Sequence, residues 1–362
     1  MFPNDPSNSL HSPYPIRFAQ ADFQALKEQI EGGNYGQLFV LLDENTARDC
    51  WPILAPALAP YSPQLLQIPA GEDHKNLQTC QSVWTKLLQK GAQRNSLLIN
   101  LGGGVLGDMG GFVAATFKRG FDFIQIPTSL LAQVDASVGG KLGIDFQGLK
   151  NGIGLFQFPK MVLIYPPFIQ TLPPEEVRSG WAEILKHSLI ADAQSWPQLQ
   201  AMPPLQDMDR WQQIIAHSIQ IKDHIVDQDP QEKGLRKLLN FGHSIGHALE
   251  SLSWNSPQPL LHGEAVALGL LAEAYLSAHY LQLPQKELDQ IEAAIRPLYP
   301  SFPLAQIPPN SFFPLLRQDK KNEGKTHSFT LISAIGQGQF NQSIPYTEED
   351  RIWEAVVFAL GG

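Results

Sequence analysis

Ser96-Leu-Leu-Ile-Asn-Leu101-Gly102-Gly-Gly-Val-Leu-Gly-Asp-Met-Gly-Gly111 decides how the first half of this chain folds. A short apolar run of buried-strand character feeds straight into glycines, and the helical stretch Phe112-Val-Ala-Ala-Thr-Phe117 follows. Strand, glycine turn and helix in succession make a βα unit. Gly102, Gly104 and Gly107 have the GxGxxG spacing, in which bare backbone N–H groups at a helix N-terminus hold a pyrophosphate that side chains would exclude. The signal is weak alone, because glycine turns after strands are common. It also departs from the usual dinucleotide fingerprint: it is not the first βα unit, and Asp108 lies inside the loop, where its charge is unwelcome beside phosphate. Asp108 is expected to face a ribose or nicotinamide end.

Outward from this unit the pattern repeats. Residues 37–42 are a strand run ending at Asp43-Glu-Asn45, and 65–69 are a second, followed by Gly71-Glu-Asp-His-Lys75. A helical pattern covers 76–90, a strand covers 121–128 and ends in a polar turn, and a strand at 161–165 is stopped by Pro166 and Pro167. Alternation of this kind predicts a parallel α/β sheet. Leu172-Pro-Pro174 marks a boundary, giving expected domains 1–172 and 173–362. Beyond it, 175–192, 208–227, 235–252 and 262–281 carry helical spacing. Residues 329–332 are a lone late strand, and Thr347 is a candidate cap for a last helix ending at Gly361.

The second informative stretch is Lys237-Leu-Leu-Asn-Phe-Gly-His-Ser-Ile-Gly-His-Ala-Leu-Glu250, with Leu261-His-Gly-Glu264 after it. His243 and His247 are four apart, so a helix puts both imidazoles on one face. His262 opens another helical run, and Trp181-Ala-Glu-Ile-Leu-Lys-His187 offers a carboxylate on a third. One carboxylate and histidines from separate helices suit a catalytic metal, because three protein ligands leave positions open for substrate. A single histidine is more often structural. Gly242, Gly246 and Gly263 beside the histidines shift that balance, since they weaken a helix and allow close backbone approach.

Bulk properties narrow the function. The 362 residues exceed one ordinary core, and 43% hydrophobic with 17% charged residues is a soluble, globular balance. A net charge of −9 argues against wholesale nucleic-acid binding. Cys50 and Cys80 are the only cysteines, which excludes a disulfide framework and a cysteine zinc site and fits a reducing cytoplasm. No apolar run reaches membrane-spanning length, and residues 1–15 lack the marks of a secretion signal. Basic residues nevertheless gather near the two motifs: Arg119, Lys141, Lys150, Lys186, Lys222, Arg236, Lys320 and Lys321. Arg offers a fork for a carboxylate and Lys a point charge for phosphate, while Asp135 and Asn151 can bond hydroxyls. The residues alone therefore suggest a nucleotide cofactor in the α/β half, a metal in the helical half, and a polyhydroxylated anionic substrate between them.

The motifs GGGVLGD, RGFDFIQIPTSLLAQVDASVGGK, LKN, SGWAEILKH, LRKLLNFGHSIGHALE and HGEAVALG, in this order, resemble those of the 3-dehydroquinate synthases, within the sugar phosphate cyclases. The resemblance runs over roughly residues 43–336. It implies a Rossmann-like NAD-binding α/β domain followed by an all-α metal-binding domain, a divalent metal (zinc or cobalt) and a homodimer. The metal ligands it implies are Glu183, His243 and His262, so it corrects the simple pairing of His243 with His247 and gives His247 to substrate and proton handling. Asp135, Lys141, Asn151, Lys186, Lys222, Arg236 and Asn240 match substrate-contacting positions, and Arg119 matches an arginine that enters the neighbouring subunit's site. Either Lys320 or Lys321 completes that set. For NAD+ the matches are Asp43, Asn45, Glu72, Lys75, Gly103, Gly104, Val105, Asp108, Thr128, Ser129, Lys141, Lys150, Phe168 and Thr171. The sequence departs from the common pattern at 142–149, at Trp181 and at Ser129, without loss of a chemical group. The implied reaction converts 3-deoxy-D-arabino-heptulosonate 7-phosphate to 3-dehydroquinate and phosphate, with NAD+ reduced and reoxidised within one turnover. Rival readings are a cyclase for a heptulose phosphate lacking the carboxylate, a metal-dependent polyol or alcohol dehydrogenase, and a non-catalytic NAD-binding or assembly protein.

Overall fold

The computed structural model describes residues 12–147, 149–254, 256–299, 302–303, 307–318 and 324–361. Lys320 and Lys321 lie outside them. The chain forms two compact units: Pro3–Pro173 with Leu205–Asp223, and Pro174–Pro204 with His224–Gly362. A single cut between 172 and 173 is coarser than this division, which places residues 205–223 with the first unit.

The first unit is built on β1 (Ile16–Phe18), α1 (Gln24–Gly32), β2 (Gln37–Asp43), α2 (Glu44–Asp49), α3 (Trp51–Leu58), β3 (Gln64–Ile68), α4 (Leu77–Gln89), β4 (Ser96–Gly102), α5 (Gly104–Thr116), β5 (Asp122–Pro127), β6 (Lys141–Phe146), β7 (Leu149–Phe156) and β8 (Met161–Ile164). Six strands form one parallel sheet in the order β1-β8-β5-β4-β2-β3. Its central strands are mostly apolar because both faces are covered, with Asn100 and Gln125 as buried polar exceptions. Val40, Leu42, Leu97 and Ile99 pack in a cluster with Phe23 and Leu54, whereas Phe39, Leu41 and Leu98 pack with Val83 and Val113. Strand order reverses between β2 and β4, since β3 lies outside β2 and β5 lies beyond β4. In open parallel sheets, ligands bind at the carboxyl ends of the strands where this reversal occurs.

β6 and β7 form a separate antiparallel hairpin that the sequence pattern did not mark. Alternation is poor there: most of β7 is exposed, Phe156 to 58%. The glycine turn also opens its helix earlier than expected, since α5 starts at Gly104 rather than near residue 112.

The second unit is helical, with α6 (Pro174–Ala191), α7 (Trp196–Leu199), the end of α8 (Met208–Gln228), α9 (His243–Ser253), α10 (His262–Tyr280), α11 (Gln285–Ile295), α12 (Pro309–Arg317) and α13 (Glu349–Leu360). One antiparallel hairpin, β9 (Thr326–Ala334) with β10 (Gln337–Pro345), is added to them. The late strand is thus not alone; its polar partner Gln-Gly-Gln-Phe-Asn-Gln-Ser-Ile-Pro has no apolar run to announce it. The expected helix over 235–252 is two pieces, a 3-10 turn Leu235–Asn240 and α9, parted by Gly242 at φ +79°. Thr347 sits within a 3-10 turn and does not cap α13; Gly361 ends that helix at φ +81°.

Helix contacts in this unit are made through bare backbone. A Cβ on Gly263 of α10 would lie 1.9 Å from the Ser179 carbonyl oxygen of α6, and one on Gly269 would lie 1.9 Å from the Gly242 oxygen. A Cβ on Gly246 of α9 would stand 2.9 Å from the Ala265 carbonyl oxygen and 3.2 Å from the Val266 Cα of α10. Gly269→Ala is therefore expected to part α9 from α10 at a cost of about 2–4 kcal/mol by overpacking. Gly32→Ala, with nothing within 4 Å of the added carbon, should stay within about 0.5 kcal/mol of the parent. Urea unfolding of the two variants measures the contrast.

Candidate active site

Within the first unit, most candidate cofactor residues lie at or after the carboxyl ends of parallel strands, while Lys141 and Lys150 lie on the β6–β7 hairpin. Asp43 ends β2, Glu72 and Lys75 follow β3, Gly103 to Asp108 follow β4, Thr128 and Ser129 follow β5, and Thr171 follows β8. Asp43 has a local duty as well: its carboxylate caps α2 by accepting from the Thr46 backbone N–H at 2.8 Å. Asn45 is exposed beside it. Gly103 and Gly104 face Ser129 and Ala136, and a Cβ on Gly103 would stand 3.2 Å from the Ser129 hydroxyl oxygen. Val105 is half-buried in the first turn of α5.

Asp108 does not carry an unbalanced charge into this turn. Lys75, 4% exposed, places its Nζ 2.7 Å from the Asp108 carboxylate. Burial pushes the Asp108 carboxyl above its usual range, and Lys75 pulls the other way. Burial likewise works against the Lys75 ammonium, but Asp108 and Glu72 outweigh it and leave the amine above its ordinary value. Beneath the turn, Gln125 donates to the Gly107 carbonyl at 2.9 Å and accepts from Asn100 at 3.2 Å. This buried pair supports the turn from inside the sheet, and hydrophobic patterning gave no sign of it. The Phe168 ring is fully buried in the apolar cluster, and its carbonyl accepts from the Thr171 hydroxyl at 2.7 Å.

The same unit holds part of the candidate substrate set. Lys222, 5% exposed, lies 2.8 Å from the Asp135 carboxylate. Lys141 opens β6 after Gly139 and Gly140, both left-handed. Lys150 and Asn151 are on β7; Asn151 has φ +50° and its backbone N–H donates to Asp145 at 2.7 Å. Arg119 is exposed at φ +69°, after the end of α5.

In the second unit, three helices bring a carboxylate and imidazoles together. Glu183 on α6 is wholly buried, with its Oε1 3.5 Å from His243 Nε2 and 3.7 Å from His262 Nε2. Each of those rings is oriented from behind. His243 Nδ1 lies 3.2 Å from the Phe241 carbonyl, and His262 Nδ1 lies 3.4 Å from Glu250. Both Nε2 atoms are therefore directed to the shared carboxylate, the arrangement in which a second shell holds metal-binding histidines. His247, the most exposed of the three histidines, has a ligand atom within 4.8 Å of those of His243 and His262. Two imidazole nitrogens and a carboxylate oxygen are a donor set that fits a divalent cation such as zinc or cobalt.

The electrostatics reflect the gathered charges. Burial and the Lys186 ammonium hold His243 well below its usual pKa, against the pull of Glu183. Burial also opposes a charge on His262, yet Glu183 and Glu250 outweigh it and push that imidazole up to about 10. Lys186, one turn along α6, is ion-paired with Glu183.

Arg236 and Asn240 sit on the 3-10 turn before α9. Arg236 is 3% exposed; its guanidinium donates to the Pro230 carbonyl at 2.8 Å, and Asn240 donates to Glu232 at 2.9 Å. Asp229 shapes the approach to this turn by accepting from the backbone N–H groups of Lys233, Gly234 and Arg236. Sequence reading missed Glu232, Glu250 and Asp229. Glu250 had a signal, since seven residues after His243 is two helical turns along the same face. The other two act through loop geometry.

Two adjoining stretches match known family domains: residues 65–179 match 3-dehydroquinate synthase N-terminal, and residues 180–322 match 3-dehydroquinate synthase C-terminal. The chain belongs to the 3-dehydroquinate synthase family. A 3-dehydroquinate synthase from Parabacteroides distasonis is 41% identical over 92% of this chain and 94% of its own length. Among solved structures, 2-epi-5-epi-valiolone synthase from Streptomyces hygroscopicus subsp. jinggangensis, with NAD+ and Zn2+ bound, superposes with a TM-score of 0.84 at 24% identity, over 97% of this chain and 98% of its own. A 2-deoxy-scyllo-inosose synthase, complexed with carbaglucose-6-phosphate, NAD+ and Co2+, gives 0.82 at 22% identity over 96% and 97%. Those two likenesses show a shared fold. Among the described residues, no helix is long and apolar enough to cross a membrane.

Burial raises the Asp229 carboxyl, but its three backbone donors outweigh that and hold it below the ordinary carboxylate range. A depressed carboxyl stabilises the fold above its unfolded pKa and loses that contribution as pH falls through the folded value. Asp229→Asn should therefore cost about 1–2 kcal/mol at pH 7, and the difference should vanish on acidification below about pH 3. Parallel thermal melts across that range are the measurement.

Proposed function

We propose that this chain is a 3-dehydroquinate synthase, a phosphate-eliminating carbon–oxygen lyase of the shikimate pathway. It converts 3-deoxy-D-arabino-heptulosonate 7-phosphate to 3-dehydroquinate and phosphate. The observation that carries the reading is the meeting of Glu183 with His243 and His262 in a chain that matches both family domains. We assign NAD+ to the first unit and the metal to the second.

In the first unit, the reversal of strand order beside Gly103 and Gly104 supports a pyrophosphate on the N-terminus of α5. Asp43, Asn45 and Glu72 accept from the ribose and adenine side, and Val105, Thr128, Ser129 and Thr171 belong to the same end of the sheet, with Lys150 supplied by β7. Lys75 pairs with Asp108 and fixes its carboxyl beside the turn, where an oxygen can accept from a hydroxyl. NAD+, when bound, takes a hydride and later gives it back, so the reaction has no net redox change.

In the second unit, Glu183, His243 and His262 are the metal ligands; a divalent cation there, when bound, lowers the pKa of a substrate hydroxyl. The protein's own groups do the rest. On the family resemblance, Lys141, Lys222 and Asn151, which belong to the first unit, and Lys186 are phosphate contacts that offset its charge as it leaves. Asp135 both orients Lys222 and accepts from a substrate hydroxyl. Arg236, pinned through Pro230, presents its guanidinium to the substrate carboxylate with Asn240 beside it. His247, exposed next to the metal ligands, relays protons as the ring opens and recloses. On the family resemblance the working form is a homodimer in which Arg119 reaches the neighbouring site.

The decisive assay supplies the protein with the heptulosonate phosphate and catalytic NAD+, and follows phosphate release with NADH absorbance. Phosphate without accumulated NADH is expected; NADH alone would mark a dehydrogenase, and neither signal would mark the wrong sugar or a binding protein. His243→Ala should abolish both stoichiometric metal and turnover, as metal analysis and the same assay will record. Arg236→Ala removes a charged hydrogen bond of about 1.5–3 kcal/mol, so KM should rise about 10- to 100-fold. Sedimentation tests the dimer.

A further inference from the structure

Glu273 is a wholly buried carboxylate in the middle of α10 that the proposed reaction does not use. Its Oε2 accepts from the Gly242 backbone N–H at 2.6 Å, and its Oε1 accepts from the Ile245 N–H at 3.2 Å. Gly242 is the N-cap of α9 and Ile245 is in its first turn. The opening N–H groups of a helix have no partner within it, and a side-chain oxygen at the N-cap usually supplies one. Gly242 has no side chain to offer, and a Cβ there would meet Leu270 at 2.8 Å. Glu273 therefore caps α9 from another helix, with its carboxyl at the positive end of the α9 dipole.

The position of this cap matters for the metal ligands. Gly242 and Ile245 bracket His243, while Glu273 shares α10 with His262. Fixing one side chain on α10 to the backbone on both sides of His243 fixes the two imidazoles relative to each other. Gly269, whose absent Cβ admits the Gly242 carbonyl, sets the distance between the helices, and Glu273 sets the height and rotation of α9. A buried carboxylate is expensive unless it is bonded, so loss of either donor makes the arrangement unfavourable and the cap resists drift.

We propose that Glu273 is a positioning residue of the metal centre, holding His243 in register with His262 so that both Nε2 atoms meet Glu183. This rests on the reading of Glu183, His243 and His262 as the ligands. Glu273→Gln keeps size and one acceptor but turns a donor toward one of the two backbone N–H groups. On the full chain, Co2+ affinity by competition with a chelator, well below the unfolding temperature, should weaken about 10- to 100-fold. The visible absorption of the Co2+-loaded protein should also change shape, because ligand geometry sets it. A purely structural role would lower the melting temperature and leave affinity and spectrum as in the parent. A folded variant with unaltered Co2+ affinity and spectrum overturns the proposal. Failure of the parent itself to bind Co2+ would instead sink the ligand reading. Hydrogen exchange on the parent needs no variant: the Ile245 amide should exchange slowly, and fast exchange there overturns the cap.

Discussion

Backbone contact between α6, α9 and α10 is the constraint from which the second unit takes its form. Gly263 lets α10 lie directly on Ser179 of α6, and Gly246 and Gly269 let α9 lie directly on α10. Any side chain at these points would separate axes that now touch. Because His262 precedes Gly263, His243 follows Gly242, and Glu183 is one turn beyond Ser179, each contact delivers a functional group to the same place. The cost appears in the sequence as glycines inside helices, where they lower helix stability by about 1 kcal/mol each. Tertiary packing outweighs that loss here: α6 and α10 are almost fully buried.

Charge within the two units follows a common rule. Acids at the candidate sites have named counterparts: Asp108 with Lys75, Asp135 with Lys222, Glu183 with Lys186 and the imidazoles, Glu273 with helix N–H groups. Ions in a low-dielectric interior persist only when paired in this way. A net charge of −9 thus coexists with lysines and an arginine held locally in place, and bulk charge says little about the sites.

Much of this was legible in the sequence. Short apolar runs ending in polar turns marked β2, β3, β4, β5 and β8 to within a residue or two, because strands buried on both faces have no polar alternation to confuse them. The glycines beside the histidines correctly signalled close helix approach. Other parts were not legible. The β6–β7 hairpin and β10 are too exposed for periodicity to reveal them, and the break at Gly242 was hidden because the residues around it keep helical spacing. Glu273 could not have been found from spacing, since it acts on a segment about thirty residues away through backbone atoms that sequence does not distinguish.

The assignment of residues 205–223 to the first unit has a consequence for the gene as much as for the protein. A message stopped after Pro173 would encode the whole six-stranded sheet, yet would omit Lys222 and leave Asp135 without its cation. The α/β half is therefore not a portable module. Recombination that swapped everything upstream of the Leu172-Pro-Pro174 junction would separate Asp135 from the Lys222 it pairs with, unless that piece of α8 travelled with it.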